Sequence, residues 1–163
     1  MLTPNDTIVH ALTASKQLLL RFVEDLTPAE YLHRPAPTVN CAAWLLGHLA
    51  LTDRRVLGNV LGVTDLPPLP DGFERRFSRD EGCPQAEEFG DASVLPALFA
   101  RHRDLLIETV KGLPAEALAR PLPKPHPLFD TAGGAVNFMA LHTMMHAGQI
   151  SVIRRSLGRP PIV

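Results

Sequence analysis

The stretch Asn137-Phe138-Met139-Ala140-Leu141-His142-Thr143-Met144-Met145-His146 sets two histidines four residues apart in an otherwise apolar, strongly helix-forming run. Side chains at i and i+4 are neighbours on one helix face, about 5 to 6 Å apart at Cβ. Two imidazoles so placed can converge on one ion at the roughly 2.0 to 2.1 Å of a Zn–N bond. A third ligand is needed, and His48 is the candidate. It lies in Cys41-Ala42-Ala43-Trp44-Leu45-Leu46-Gly47-His48-Leu49-Ala50-Leu51, the only other histidine embedded in a long apolar helical pattern. A polar ring in apolar surroundings is costly unless it is hydrogen-bonded or coordinated. One shared ion would satisfy all three.

Working outward, the second of these histidine helices is predicted from about Thr131 to Leu157, closed by Gly158 and Pro160-Pro161. The His48 helix begins after Asn40, read as its N-cap, and ends near Gly58 or Gly62. An earlier helix runs from about Asn5 to Asp25, with Thr3 as N-cap, Pro4 at the first position and Asp6 in the first turn. Its apolar face is Ile8, Leu12, Leu19, Phe22, Val23 and Leu26. Another covers roughly Ser93 to Lys111, where Pro96 falls in the tolerant first turn and Gly112 ends the element. Between the two middle helices, residues 62–90 are rich in Pro, Gly and charge and read as a long crossover loop. A second proline-rich connection, Pro121 to Pro127, precedes the last helix. No strand pattern competes, so the expected class is all-α: a four-helix bundle with a long crossover loop, forming a single domain over residues 1–163.

Composition agrees with one globular core. At 163 residues the chain is long enough for a sizeable core and short for two. Hydrophobic residues make up 45%, charged residues 20%, and the net charge is −1. With no polybasic field, nucleic acid and anionic membranes are not expected partners. The start, Met1 to Asp6, lacks the basic and apolar regions of a signal peptide, and no apolar run approaches membrane length, so a cytoplasmic protein is expected. Cys41 and Cys83 lie far apart without a C-x-x-C pattern, which suggests neither a disulfide nor a thiolate metal site. A metal would therefore be held by N and O ligands.

The sequence also carries a degenerate internal repeat. After the first helix comes Leu26-Thr27-Pro28-Ala29-Glu30-Tyr31-Leu32-His33-Arg34-Pro35, and after the third Leu113-Pro114-Ala115-Glu116-Ala117-Leu118-Ala119-Arg120-Pro121. Each half continues into a helix with an aromatic residue four positions before a histidine: Trp44 before His48, Phe138 before His142. Superposition makes Thr52 the counterpart of His146. The repeat predicts two hairpin-like halves, the first two long helices and the last two, facing each other so that three imidazoles converge and the place beside Thr52 holds no strong ligand.

These residues, Trp44-Leu45-Leu46-Gly47-His48 with His142-Thr143-Met144-Met145-His146-Ala147-Gly148-Gln149-Ile150 and the trailing Arg154-Arg155-Ser156-Leu157-Gly158, resemble the DinB/YfiT-like superfamily of metalloenzymes. The resemblance covers nearly the whole chain. It implies a four-helix bundle of unusual crossing topology, often a homodimer, in which three histidines bind zinc or nickel beside an open coordination position. Characterised members include transferases and isomerases that use low-molecular-weight thiols such as bacillithiol or mycothiol, while many members have no assigned reaction.

The site expected from residues and resemblance together is His48, His142 and His146 on one divalent ion. Such an ion with an open position can activate water, as in a hydrolase, or a thiol, as in a transferase or isomerase; the residues do not choose. The alternative is a non-catalytic, metal-braced dimeric binding or stress-response module. Gln149 shares the face of His142 and His146 and is placed to steady a ligand. Trp44, Phe73, Phe77 and Phe138 are candidates for a substrate wall, and a small-molecule substrate is expected. His10, His33 and His102 have polar neighbours and read as surface residues, His126 as a loop residue. Asp53 lies on the wrong face to serve His48, and Arg154 and Arg155 are expected to pair with surface carboxylates.

Overall fold

The structure, a computed structural model, describes residues 2–79 and 82–162. Four long helices form the bundle: α1 (Pro4–Val23), α3 (Ala42–Arg55), α5 (Leu95–Gly112) and α7 (Ala132–Ser156). The short helices α2 (Pro28–Tyr31) and α6 (Ala115–Ala119) are the two Pro-Ala-Glu segments of the repeat. Local signals fix the ends. Thr3 and Asp6 form a capping box at α1, Thr27 and Glu30 another at α2, and Thr131 accepts the Gly134 N–H at the start of α7. The N-cap of α3 is Cys41 rather than Asn40, without a side-chain capping bond, and the helix leaves through a π-helical turn at Val56–Val60.

Three expectations are corrected. The crossover is not only loop: it contains α4 (Phe73–Phe77) and a 3-10 turn at Ala86–Glu88, with a further 3-10 turn at Ala92–Val94 leading into α5. Part of the predicted crossover, residues 80–81, lies outside the described residues. Second, a small antiparallel hairpin, β1 (Pro121–His126) and β2 (Phe129–Thr131), precedes α7. Prolines at 121, 123 and 125 alternate, so their missing N–H groups fall on one strand edge and leave the other edge to pair. That spacing turns a proline-rich run into an edge strand.

Third, the helices of each half are not hairpin neighbours. α1 packs beside α7 and α5, and α3 beside α5 and α7, so α1 and α3 face each other across a diagonal, as do α5 and α7. The two halves interlock instead of docking side by side. The core has two apolar clusters, one around Leu45, Phe99 and Ile150, the other around Leu12, Leu106 and Val136. Between them every long helix contributes a buried side chain to one hydrogen-bonded polar layer: Ser15, Asp53, Arg103 and Thr143. The order in which each helix meets these layers makes α1 parallel to α7 and α3 parallel to α5. Among the described residues no helix is long and apolar enough to cross a membrane.

Candidate metal centre

The polar layer sets the level of the histidines. Arg103 donates to both carboxylate oxygens of Asp53, to Thr143 Oγ1 at 2.8 Å and to Ser15 Oγ at 3.3 Å, tying all four long helices together. His48 lies just over one turn before Asp53, and His142 adjoins Thr143. Registering these helices therefore brings His48 to the α7 pair.

One ligating nitrogen from each of His48, His142 and His146 lies within 4.8 Å of the other two. The His142 and His146 ring centroids are 4.5 Å apart, and the His48 ring stands edge-on to both, at 5.2 and 5.5 Å. All three are buried yet keep 8%, 9% and 5% of their surface exposed, in chain order, so the cluster reaches solvent. Among the described residues no fourth His, Cys, Asp or Glu joins them.

The ring orientations are built, not accidental. His48 Nδ1 donates to the Phe77 carbonyl at 3.0 Å, which leaves its Nε2 lone pair free. His146 Nδ1 donates to Gln149 Oε1 at 2.7 Å, and its Nε2 is 2.9 Å from His142 Nε2. Trp44 stacks on His48 with centroids 4.7 Å apart, and Phe138 stacks on His142 at 5.8 Å, so the repeated aromatic-histidine spacing has the same use in both halves. Gly47 is required by this arrangement: a Cβ there would fall 2.3 Å from the Phe77 ring. The glycine lets α4 close on α3 so that the Phe77 carbonyl can reach the ring of the next residue.

These residues fit a divalent cation. Burial holds the His142 imidazole down to about 3, with the neighbouring charges of His146, His48 and Arg103 adding to it. Burial likewise takes His146 down to about 4 against the opposing Gln149 bond, and lowers His48. Neutral imidazole is the form that ligates a metal. His142 Nδ1 is buried without a hydrogen-bond partner. Two of three rings thus have the outer hydrogen bond common to metal-bound histidine, and the third is held by stacking and by its neighbour.

The remaining candidates separate. Gln149, although exposed, accepts from the His146 ring. Thr52 Oγ1 is spent on the Leu49 carbonyl, and Asp53 serves Arg103. Phe73 and Phe77 are 2% and 1% exposed and pack with Phe89 in the core, so they are no substrate wall. His102 is fully buried rather than on the surface, with Nδ1 bonded to the Leu98 carbonyl. Its neighbour Arg103 is charged in sequence, but that guanidinium points into the core and does not mark a surface. Exposed His126 stacks on Phe129 at 4.4 Å between centroids and also meets the Phe138 ring at 6.1 Å. Arg154 reaches the half-exposed Asp25 but is itself buried and also holds the Phe22 carbonyl. The Phe77 carbonyl was missed; its signal is the glycine directly before a histidine in an apolar helix. Cys41 and Cys83, read as unrelated, have sulfurs 3.8 Å apart.

A sequence profile of the DinB superfamily matches residues 11–150. Among solved structures, the chain is similar to YfiT from Bacillus subtilis, described as a probable metal-dependent hydrolase with an unusual four-helix bundle topology. The identity is 18%, the TM-score 0.59, and the match covers 96% of this chain and 89% of that one. Among curated proteins, none matches.

Proposed function

The chain belongs to the DinB superfamily, and on that premise we propose that it is a metal-dependent hydrolase whose divalent ion, zinc or nickel, is held by His48, His142 and His146. The observation that carries the reading is the convergence of three neutral imidazoles with no fourth protein ligand beside them among the described residues, the pattern of catalytic rather than structural zinc sites. The description of YfiT points the same way. A bound ion would act as a Lewis acid toward a water or a thiol, the chemistry that hydrolysis and thiol transfer share.

The chain's own residues prepare that place. The Phe77 carbonyl and Gln149 fix two rings through Nδ1, so their Nε2 lone pairs stay directed at the common point. Trp44 and Phe138 cover the outer ring faces and keep water from competing there. Leu141, Met145, Gly148 and Val152 form an exposed stripe along α7 at i, i+4, i+7 and i+11, bordering the histidine face. We take this apolar stripe as support for a homodimer, which sedimentation of wild type and Met145→Glu would test.

Elemental analysis of tag-free protein is expected to find close to one divalent ion per chain. No stoichiometric metal, together with no rise in melting temperature on adding zinc, would overturn the reading. His146→Ala should lose metal and hydrolytic turnover while keeping its helix content, because a bundle of this size buries enough apolar surface to fold alone. Global unfolding of that variant, or of wild type under chelator, would instead favour a metal-braced module. Turnover that requires an added low-molecular-weight thiol would move the assignment to thiol transfer.

A further inference from the structure

Cys41 and Cys83 are 42 residues apart in sequence, yet the fold places their sulfurs 3.8 Å apart. Both are free thiols with different surroundings: Cys41 is 1% exposed at the N-cap of α3, whereas Cys83 is half-buried and lines an open cleft of about 490 Å³ with Arg75, Arg76 and Gln85. We propose that Cys41 and Cys83 are a redox-active dithiol pair, Cys83 the attacking thiol and Cys41 the resolving one, which fastens the crossover segment onto the helix that carries His48.

The geometry supports the division of labour. A disulfide needs the sulfurs to close by less than about 2 Å, toward a bond of roughly 2.05 Å, and only Cys83 can be reached from solvent. At this separation either sulfur can donate to the other; the contact with Cys83 and burial raise the Cys41 thiol, while the contact with Cys41 brings the Cys83 thiol down to about 6. Arg34 favours the thiolate of both.

The oxidant is a low-molecular-weight disulfide entering the cleft. Cys83 thiolate attacks one of its sulfurs, forming a mixed disulfide and expelling one small thiolate, which takes up a proton. Cys41 then loses its proton and attacks the Cys83 sulfur, forming the Cys41–Cys83 bond and releasing the second small thiol. The chain loses two hydrogens and the small disulfide gains them. The new bond joins the N-cap of α3 to the segment that follows α4, and so closes a ring of chain that contains the Gly47–Phe77 contact and the Phe77 carbonyl on His48.

The probe is oxidised glutathione added to folded, full-length protein as isolated, read by intact mass, peptide mapping and free-thiol count. Wild type should lose two hydrogens, retain no glutathione and yield a linked Cys41–Cys83 peptide. Cys41→Ser should accumulate one glutathione on Cys83, and Cys83→Ser should stay unmodified while folded. Trypsin should cut the oxidised wild type several-fold more slowly after Arg75, Arg76 and Arg79. Stable glutathione on wild-type Cys83, reaction at Cys41 in Cys83→Ser, or no modification overturns the pair. Equal tryptic cleavage of the two forms overturns the fastening. Wild type alone decides both points if a variant fails to fold, and none of these readouts requires a metal or an activity.

Discussion

Arg103 grips Asp53 through two bonds, Nε to Oδ2 at 2.7 Å and Nη2 to Oδ1 at 2.9 Å, and both side chains are fully buried. The pair lies at the level where all four long helices are polar, between two apolar clusters. Sliding one helix by a turn would leave one of these groups without its partner in the core. The pair thus acts as a register mark, and the register is what carries His48 to His142 and His146.

Removing one partner leaves a buried, unpaired charge. Asp53→Ala or Arg103→Ala is expected to lower the unfolding free energy by about 3–5 kcal/mol, whereas Asp53→Leu with Arg103→Met should recover much of it. Urea unfolding of the two singles and the double measures the coupling. Additive losses would show that the pair does not act as a unit.

Gly47→Ala tests how α4 serves the site. Its new methyl would meet the Phe77 ring, which is itself buried, so the ring and its carbonyl must move. The expected cost is about 1–3 kcal/mol of stability and a roughly 10–100-fold loss of metal affinity through the displaced His48 bond. Calorimetric titration with zinc reads the second effect. Affinity unchanged at reduced stability would mean that the Phe77 carbonyl does not hold His48.

The histidines were legible because a lone polar residue in an apolar helix must have a partner, and the aromatic residue four positions earlier marked the same surroundings twice. Thr3, Thr27 and Thr131 were legible or inferable from capping chemistry, which is local. What escaped is non-local. The Arg103–Asp53 pair escaped because a sequence does not show which charges find each other across 50 residues. The diagonal placement of α1 and α3 escaped because a repeat specifies equivalent elements without specifying how its halves interlock. The Cys41–Cys83 contact likewise depends on where the crossover lies.

The metal-free protein should weaken as it is acidified. His142 and His146 are held down to about 3 and about 4 in the folded chain but return to about 6.5 when unfolded. Below about pH 6.5 the unfolded chain takes up protons that the folded one refuses. The stability these rings contribute is therefore complete above that pH and declines as the pH falls toward the folded values. Thermal melts of chelated protein from pH 7 to pH 5 should show a falling Tm, with a flatter profile in His142→Gln/His146→Gln. Parallel profiles would place the titrating groups elsewhere.

Gln149→Ala provides the counterpart to Gly47→Ala. Gln149 and the Phe77 carbonyl do the same work, each accepting an Nδ1–H from a histidine of the cluster, but Gln149 is exposed whereas Phe77 is buried. Water can replace an exposed acceptor at little cost, since a bridging water is nearly as good a hydrogen-bond partner as the side chain it replaces. It cannot follow a buried carbonyl displaced by a methyl group. Zinc affinity should therefore fall by less than about tenfold in Gln149→Ala, below the usual range for loss of a ligand's outer partner, with no loss of stability. Side-by-side titrations decide it: a Gln149→Ala loss equal to that of Gly47→Ala would show that solvent does not reach His146 Nδ1 and that the cluster is more closed than its exposure indicates.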